Sequence, residues 1–301
     1  MLNIKYIQTI TKDNLILKGQ LFSSVDLNKS RNTLSSRVAI LHIHGMGGSL
    51  YYNGFYQQMV NNYTKQSYDF LIVEHRGTHS VTLFDTVNGD VRIIGNAYEI
   101  FEDSVLDIQA WIDKLLDFGY KNIIFQAHSL GPSKVLYWWF NTQDNMRAII
   151  KALVLLSPVD MLGLAKKDNN YNKLLKEALN FVKQKKPDAL LSLKLWGEYI
   201  LSARTFLNFF ENENSSANIF AYHNPCHAIW DKFKTIDIPV FVATGTRDVI
   251  DAPKEALSLL EKKLMNSHFV VTKIYEGAEH SYAKYEKILV RDILKFLKKL
   301  V

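Results

Sequence analysis

From about residue 37 onward, short continuous apolar runs alternate with longer segments whose apolar residues recur every three or four positions. The runs "RVAILHI", "YDFLIVE", "NIIF", "IIKALVLLSP", "IPVFVATG" and "FVVTKIYEG" are apolar on consecutive residues, as strands buried on both faces are. Helical spacing falls at 55–65, 98–118, 130–140 and 285–300, between or after those runs. That order predicts an α/β fold with a mostly parallel sheet covered on both faces. An opening antiparallel pair, "IKYIQTI" and "LILKGQLF", turns near 12–14, and Gly119 stops the long helix whose inner face carries Phe101, Val105, Ile108, Ile112 and Leu115.

The alternation fails between residues 158 and 235. Helical patterns, many lysines and the aromatics Trp196, Tyr199, Phe206, Phe209, Phe210, Phe220, Tyr222 and Trp230 fill this stretch, which predicts a helical insertion. The aromatics are expected mainly to pack its interior, with some free to face a ligand.

The junction "QAHSLGP", 126–132, places Ser129 where a strand ends and a helix starts. So sharp a turn crowds its neighbours, and Ala127 and Gly131 relieve the crowding, a variant of the G-x-S-x-G elbow. Pro132 suits a first helical turn, whose amides are unpaired in any case. Small residues surround a serine at many strand-to-helix turns, so partners must decide. Serine chemistry requires a base and an acid that orients it. Asp248 lies just past the strand "IPVFVATG" and His280 just past the strand "FVVTKIYEG", so both lie near carboxyl ends of strands, the edge at which a parallel sheet gathers its site. Asp251 competes for the acid's role, whereas His268 precedes its strand and lies at the wrong edge.

The glycine-rich "LHIHGMGGS", 41–49, lacks the lysine of a phosphate loop and the spacing of a dinucleotide loop. It suits an oxyanion loop, with Met46 N–H and Leu130 N–H, the amide after the serine, as the two donors. His44 is then a structural loop residue and His42 a strand residue. Their spacing alone does not make a metal site, because no carboxylate pair or Cys/His cluster accompanies them.

Composition removes other classes. The net charge of +6 comes from 28 Lys and 8 Arg spread along the chain without arginine clusters and interleaved aromatics, so no nucleic-acid partner is expected. No apolar stretch is long enough to span a bilayer and the start lacks an export signal, which leads to the expectation of a cytoplasmic protein. Cys226 is the single cysteine, next to His227 but without an elbow, and is read as an inert thiol.

With "HGMGG", "EHRGTHS", "AHSLG", "TGTRD" and "EGAEHSY" in this order, the chain resembles the alpha/beta-hydrolase superfamily, nearest its serine esterase, acylglycerol lipase and serine-aminopeptidase-like branch. Ala127 replaces the usual first glycine of the elbow, and "RGTHS" lacks a glycine often found there. The resemblance implies an eight-stranded core formed by 1–157 and 236–301, with 158–235 as a helical lid. It also implies a hydrolase of a small-molecule carboxylic ester with an apolar or aromatic group, working through Ser129, His280 and Asp248 without a cofactor. Amide or thioester hydrolysis and acyl transfer use the same triad, and a non-catalytic binder on this fold is the rival from another class.

Overall fold

The computed structural model describes residues 2–26, 34–51 and 54–300. Eight strands form one sheet in the order β1-β2-β4-β3-β7-β8-β9-β10. β1 (Asn3–Ile10) pairs antiparallel with β2 (Ile16–Ser23), and β2 antiparallel with β4 (Tyr68–Val73). All further neighbours are parallel: β4 with β3 (Val38–Ile43), then β7 (Asn122–His128), β8 (Ile150–Leu156), β9 (Val240–Arg247) and β10 (Val270–Glu279). The chain has the α/β-hydrolase fold.

Because strand side chains alternate, each central strand feeds two cores. Ile123, Phe125 and Ala127 of β7 join one core, and Ile124 joins the other. The first core packs α2 (Ser104–Phe118) and α3 (Gly131–Asn141) on one face, through Trp111, Ile112, Leu115, Leu136, Trp138 and Trp139. The second packs α1 (Tyr56–Lys65) and the closing Glu286–Leu297 helix on the other, through Met59, Tyr63, Leu289, Ile293 and Phe296. The long helix starts later than its apolar spacing predicts, because Phe101–Asp103 is a 3-10 turn before α2. Gly119 ends α2 in the left-handed region at φ 102°.

A small hairpin, β5 (Leu83–Asp85) with β6 (Val91–Ile93), is absent from the sequence reading. Its strands are three residues each, and Leu83, Val91 and Ile93 are exposed while Phe84 alone of their side chains is buried, too short a pattern to read as an alternation.

Segment 158–235 is helical, with α4 (Met161–Lys166), α5 (Tyr171–Lys183), α6 (Ala203–Phe210) and a 3-10 stretch Ala228–Thr235. Phe206, Phe209 and Phe210 are fully buried and belong to the same core as α2 and α3. Phe209 meets Phe101 edge-on at 5.5 Å, and Ser202 N–H donates to Ala97 C=O at 2.8 Å. These contacts tie the segment to the loop preceding α2. Among the described residues, no helix is long and apolar enough to cross a membrane.

Candidate active site

β7 runs into α3 through Ser129, whose φ of 63° lies in the left-handed region. A side-chain-bearing residue held there costs on the order of 1–3 kcal/mol, so the surroundings must impose it. They do so from two sides. Ser129 N–H donates to Leu156 C=O at the end of β8, at 2.9 Å. α3 starts so close to β3 that a methyl group on Gly131 would stand 2.3 Å from Ile43 O, a position only glycine can occupy.

Ser129 Oγ is 2.8 Å from His280 Nε2, and Asp248 Oδ1 accepts from His280 Nδ1 at 2.6 Å. The structure thus brings together the serine, base and acid expected from three distant segments. His280 follows β10 with its side chain 31% exposed, whereas the Asp248 side chain after β9 is fully buried. Burial alone would raise the Asp248 pKa. Bonds from His280, Ser157 and Thr244 outweigh that and hold the carboxyl well below its usual range, so it stays ionised. Ser157 Oγ donates to Asp248 Oδ2 at 2.5 Å, Thr244 Oγ1 to the same oxygen at 3.0 Å, and Val249 N–H to Oδ1 at 2.7 Å.

The competing residues lie elsewhere. Asp251 is exposed and paired with Lys167, and His268 precedes β10, its N–H on Asp237 C=O. His227 caps the 3-10 stretch through Ile229 N–H and donates to Glu213 C=O, and Cys226 is exposed.

The loop after β3 passes directly over Ser129. A methyl group on Gly45 would lie 2.6 Å from Ser129 Cβ and 3.0 Å from its Oγ. Gly48 N–H donates back to Gly45 C=O at 3.2 Å, closing a tight turn with Gly47 at φ 63°. Met46 follows Gly45 in this turn, Leu130 follows Ser129, and both are buried. Among the described residues, neither of their N–H groups donates to a protein acceptor. Tyr199 of the 158–235 segment reaches the far side of this turn, with its ring 3.3 Å from where a methyl on Gly47 would stand.

Several residues that support this arrangement carry no sequence signal of their own. Ser157 and Thr244 are a loop serine and a strand threonine until the fold turns both toward Asp248. His128 is the unassigned position of the elbow, yet its Nε2–H donates to His280 C=O at 2.8 Å, and burial lowers its pKa to about 3, so it adds no charge beside the His280 ring. Tyr282 Oη lies 2.8 Å from Ser157 Oγ and donates to Ala243 C=O at 2.8 Å. Its position two residues after His280 is the one hint that it supports the loop carrying that histidine.

The largest groove described, about 1060 Å³ between Tyr68, Trp139, Arg147, His268 and Phe269, opens at the opposite edge of the sheet and includes none of these groups. A cavity of about 290 Å³ lies between the 158–235 segment and the loop after Asp248, lined by Asp160, Leu164, Tyr222, His223, Val249 and Ile250. Among the described residues, no group of three or more His, Cys, Asp or Glu side chains is arranged to hold a metal ion.

The sequence profile of the family described as serine aminopeptidase, S33, matches residues 35–287. The chain belongs to that family. No curated protein sequence matches the chain. Among solved structures, the esterase Est1E from Butyrivibrio proteoclasticus with ferulic acid bound is similar at a TM-score of 0.65 and 17% identity, over 98% of this chain and 99% of that one. A soluble variant of monoglyceride lipase from Saccharomyces cerevisiae with a substrate analogue gives 0.62 and 18%, over 99% and 96%. The esterase Pf2001 from Pyrococcus furiosus gives 0.60 and 16%, over 99% and 90%. These likenesses establish a shared fold, and the family match places the chain in the branch its motifs resemble.

Proposed function

We propose that this family member is a serine hydrolase of carboxylic esters that carry an apolar or aromatic group. The observation that carries the reading is the single imidazole of His280, bonded on one side to Ser129 Oγ and on the other to a buried, ionised Asp248. Ser129 Oγ attacks the ester carbonyl while His280 Nε2 takes its proton, and the carbonyl oxygen becomes an oxyanion facing Met46 N–H and Leu130 N–H. Collapse expels the alcohol, which receives its proton from His280, and leaves an acyl-Ser129. Water, deprotonated by His280, then releases the acid and restores the serine. Asp248 keeps Nδ1 protonated throughout, so Nε2 is the nitrogen that takes up and returns each proton.

Segment 158–235 is the lid in this reading. Tyr199 against the Gly47 turn and Ser202 on Ala97 support a position over the carboxyl edge, where it excludes water and offers an apolar wall. An aromatic acid bound to one solved relative and the name monoglyceride lipase on another fit an apolar or aryl substrate. Turnover should rise from p-nitrophenyl acetate toward medium-chain and aromatic esters, and Ser129→Ala should abolish it in a folded protein. Wild-type-like turnover by that variant would end the proposal. The family's description favours a second reading, removal of an amino acid from a peptide amide by the same groups. Aminoacyl p-nitroanilides assayed beside the esters separate the two.

A further inference from the structure

Behind the glycine turn lies a fully buried polar chain that the reaction itself does not use. Lys134 of α3 and Glu99, both without solvent exposure, form an ion pair at 2.5 Å. Lys134 Nζ also donates to His75 Nδ1 at 3.2 Å, and Gly77 N–H donates to the same nitrogen at 3.1 Å. With Nδ1 filled as an acceptor, His75 carries its proton on Nε2, which donates to His44 C=O at 3.1 Å. The His75 ring stacks on His44 with centroids 3.8 Å apart. Thr78 Oγ1, which accepts from His75 N–H, donates to His44 Nε2 at 3.0 Å. The His44 proton is thereby assigned to Nδ1, and Nδ1–H donates to Gly45 C=O at 2.8 Å.

Gly45 C=O and Met46 N–H belong to one peptide unit. A trans peptide is planar, with its carbonyl and its N–H pointing in opposite directions. Two donors, His44 Nδ1–H and Gly48 N–H, fix the direction of the Gly45 oxygen. The same constraint turns Met46 N–H the other way. We propose that His44 is the positioning residue of the oxyanion site, its ring fixed by His75, Thr78 and the Lys134–Glu99 pair so that its Nδ1–H orients the Gly45–Met46 peptide. The inference rests on the serine hydrolase reading above. Burial lowers the His44 pKa to about 3, so the ring stays neutral and its tautomer does not change over the working pH range. An already oriented donor costs no reorganisation when the oxyanion forms, which is the source of its effect on the transition state.

The test compares His44→Leu, which removes the donor, with His44→Asn, whose side-chain N–H₂ takes nearly the place of Nδ1–H. Each is assayed with p-nitrophenyl butyrate and with an alkyl trifluoromethyl ketone, whose serine adduct places an oxyanion in the site. In H44L, kcat should fall about 100-fold, the magnitude for loss of one oxyanion donor. KM should stay within about threefold, because an interaction made only in the transition state lowers kcat alone. The inhibition constant of the ketone should rise by about the factor that kcat loses, and H44N should regain most of both. Where H44L does not fold, Thr78→Val replaces it, removing the hydroxyl that fixes the His44 tautomer at nearly constant volume, with the same direction expected in kcat and in the ketone's inhibition constant. Wild-type kcat in the folded variant, equal losses in H44L and H44N, or a kcat loss without a parallel weakening of the ketone would overturn the inference. Failure of wild-type Ser129 to react with a fluorophosphonate would instead sink the hydrolase reading beneath it.

Discussion

Gly45→Ala isolates the fit between the loop after β3, the oxyanion loop of the proposed reaction, and Ser129 without touching a hydrogen-bonding group. The added methyl would stand 2.6 Å from Ser129 Cβ, where ordinary contact begins near 3.4 Å, so loop and serine must separate by about 0.8 Å. Ser129 is held by Leu156 C=O and by the close seat of Gly131 on β3, so the loop moves, carrying Met46 N–H with it. A displacement approaching 1 Å in a preorganised site costs about 100-fold in rate, or about 2.7 kcal/mol at 1.36 kcal/mol per decade. The expected result is kcat on p-nitrophenyl butyrate lowered about 100-fold with KM changed little. Thermal unfolding followed alongside keeps a change in folded fraction out of the rate. A variant within threefold of wild-type kcat would refute the reasoning, since the loop would then have no role in placing a donor over Ser129.

Asp248→Asn should lower kcat by about 10³- to 10⁴-fold in a folded protein, because an amide cannot keep Nδ1 of His280 protonated; a loss under tenfold would remove Asp248 as the orienting acid. Burial would raise the Asp13 pKa, but bonds from Thr11, Arg76 and Arg92 lower it to about 2. A depressed folded-state pKa gives stability that is present above the ordinary carboxylate value, about 4, and lost as pH falls toward about 2. Asp13→Asn should therefore melt lower than wild type at pH 7 and show a shallower fall in thermal midpoint between pH 4 and 2; identical pH profiles would contradict the assignment. Tyr199→Ala should raise KM for a medium-chain ester more than it lowers kcat, and an unchanged chain-length profile would argue against the segment as a lid.

The sheet and the meeting of Ser129, Asp248 and His280 were legible because each rests on a local signal with a geometric consequence. A continuous apolar run means a strand buried on both faces, and a residue just past its end sits on the edge where parallel strands converge. Ala127 and Gly131 marked Ser129 as a candidate, and the positions of Asp248 and His280 past their strands decided it. The supporting groups were not legible. Ser157, Thr244 and His128 act through neighbours 91, 4 and 152 residues away, and only the register of β7, β8, β9 and β10 turns them inward. The Lys134–Glu99 pair is less readable still, because helical spacing around "GPSKVLYWW" marks a buried face without revealing that a lysine on it has found a carboxylate. The hairpin at Leu83–Ile93 escaped for the opposite reason, since Leu83, Val91 and Ile93 face outward.

The central claim is that one hydroxyl, Ser129 Oγ, is the nucleophile. It is tested most directly by treating the folded protein with a fluorophosphonate and locating the adduct by peptide mass spectrometry. One adduct per chain is expected, on the peptide containing "QAHSLGP" at Ser129, with esterase activity lost in proportion to labelling and no adduct in Ser129→Ala. Labelling of a different serine, or full activity after Ser129 is modified, would contradict it.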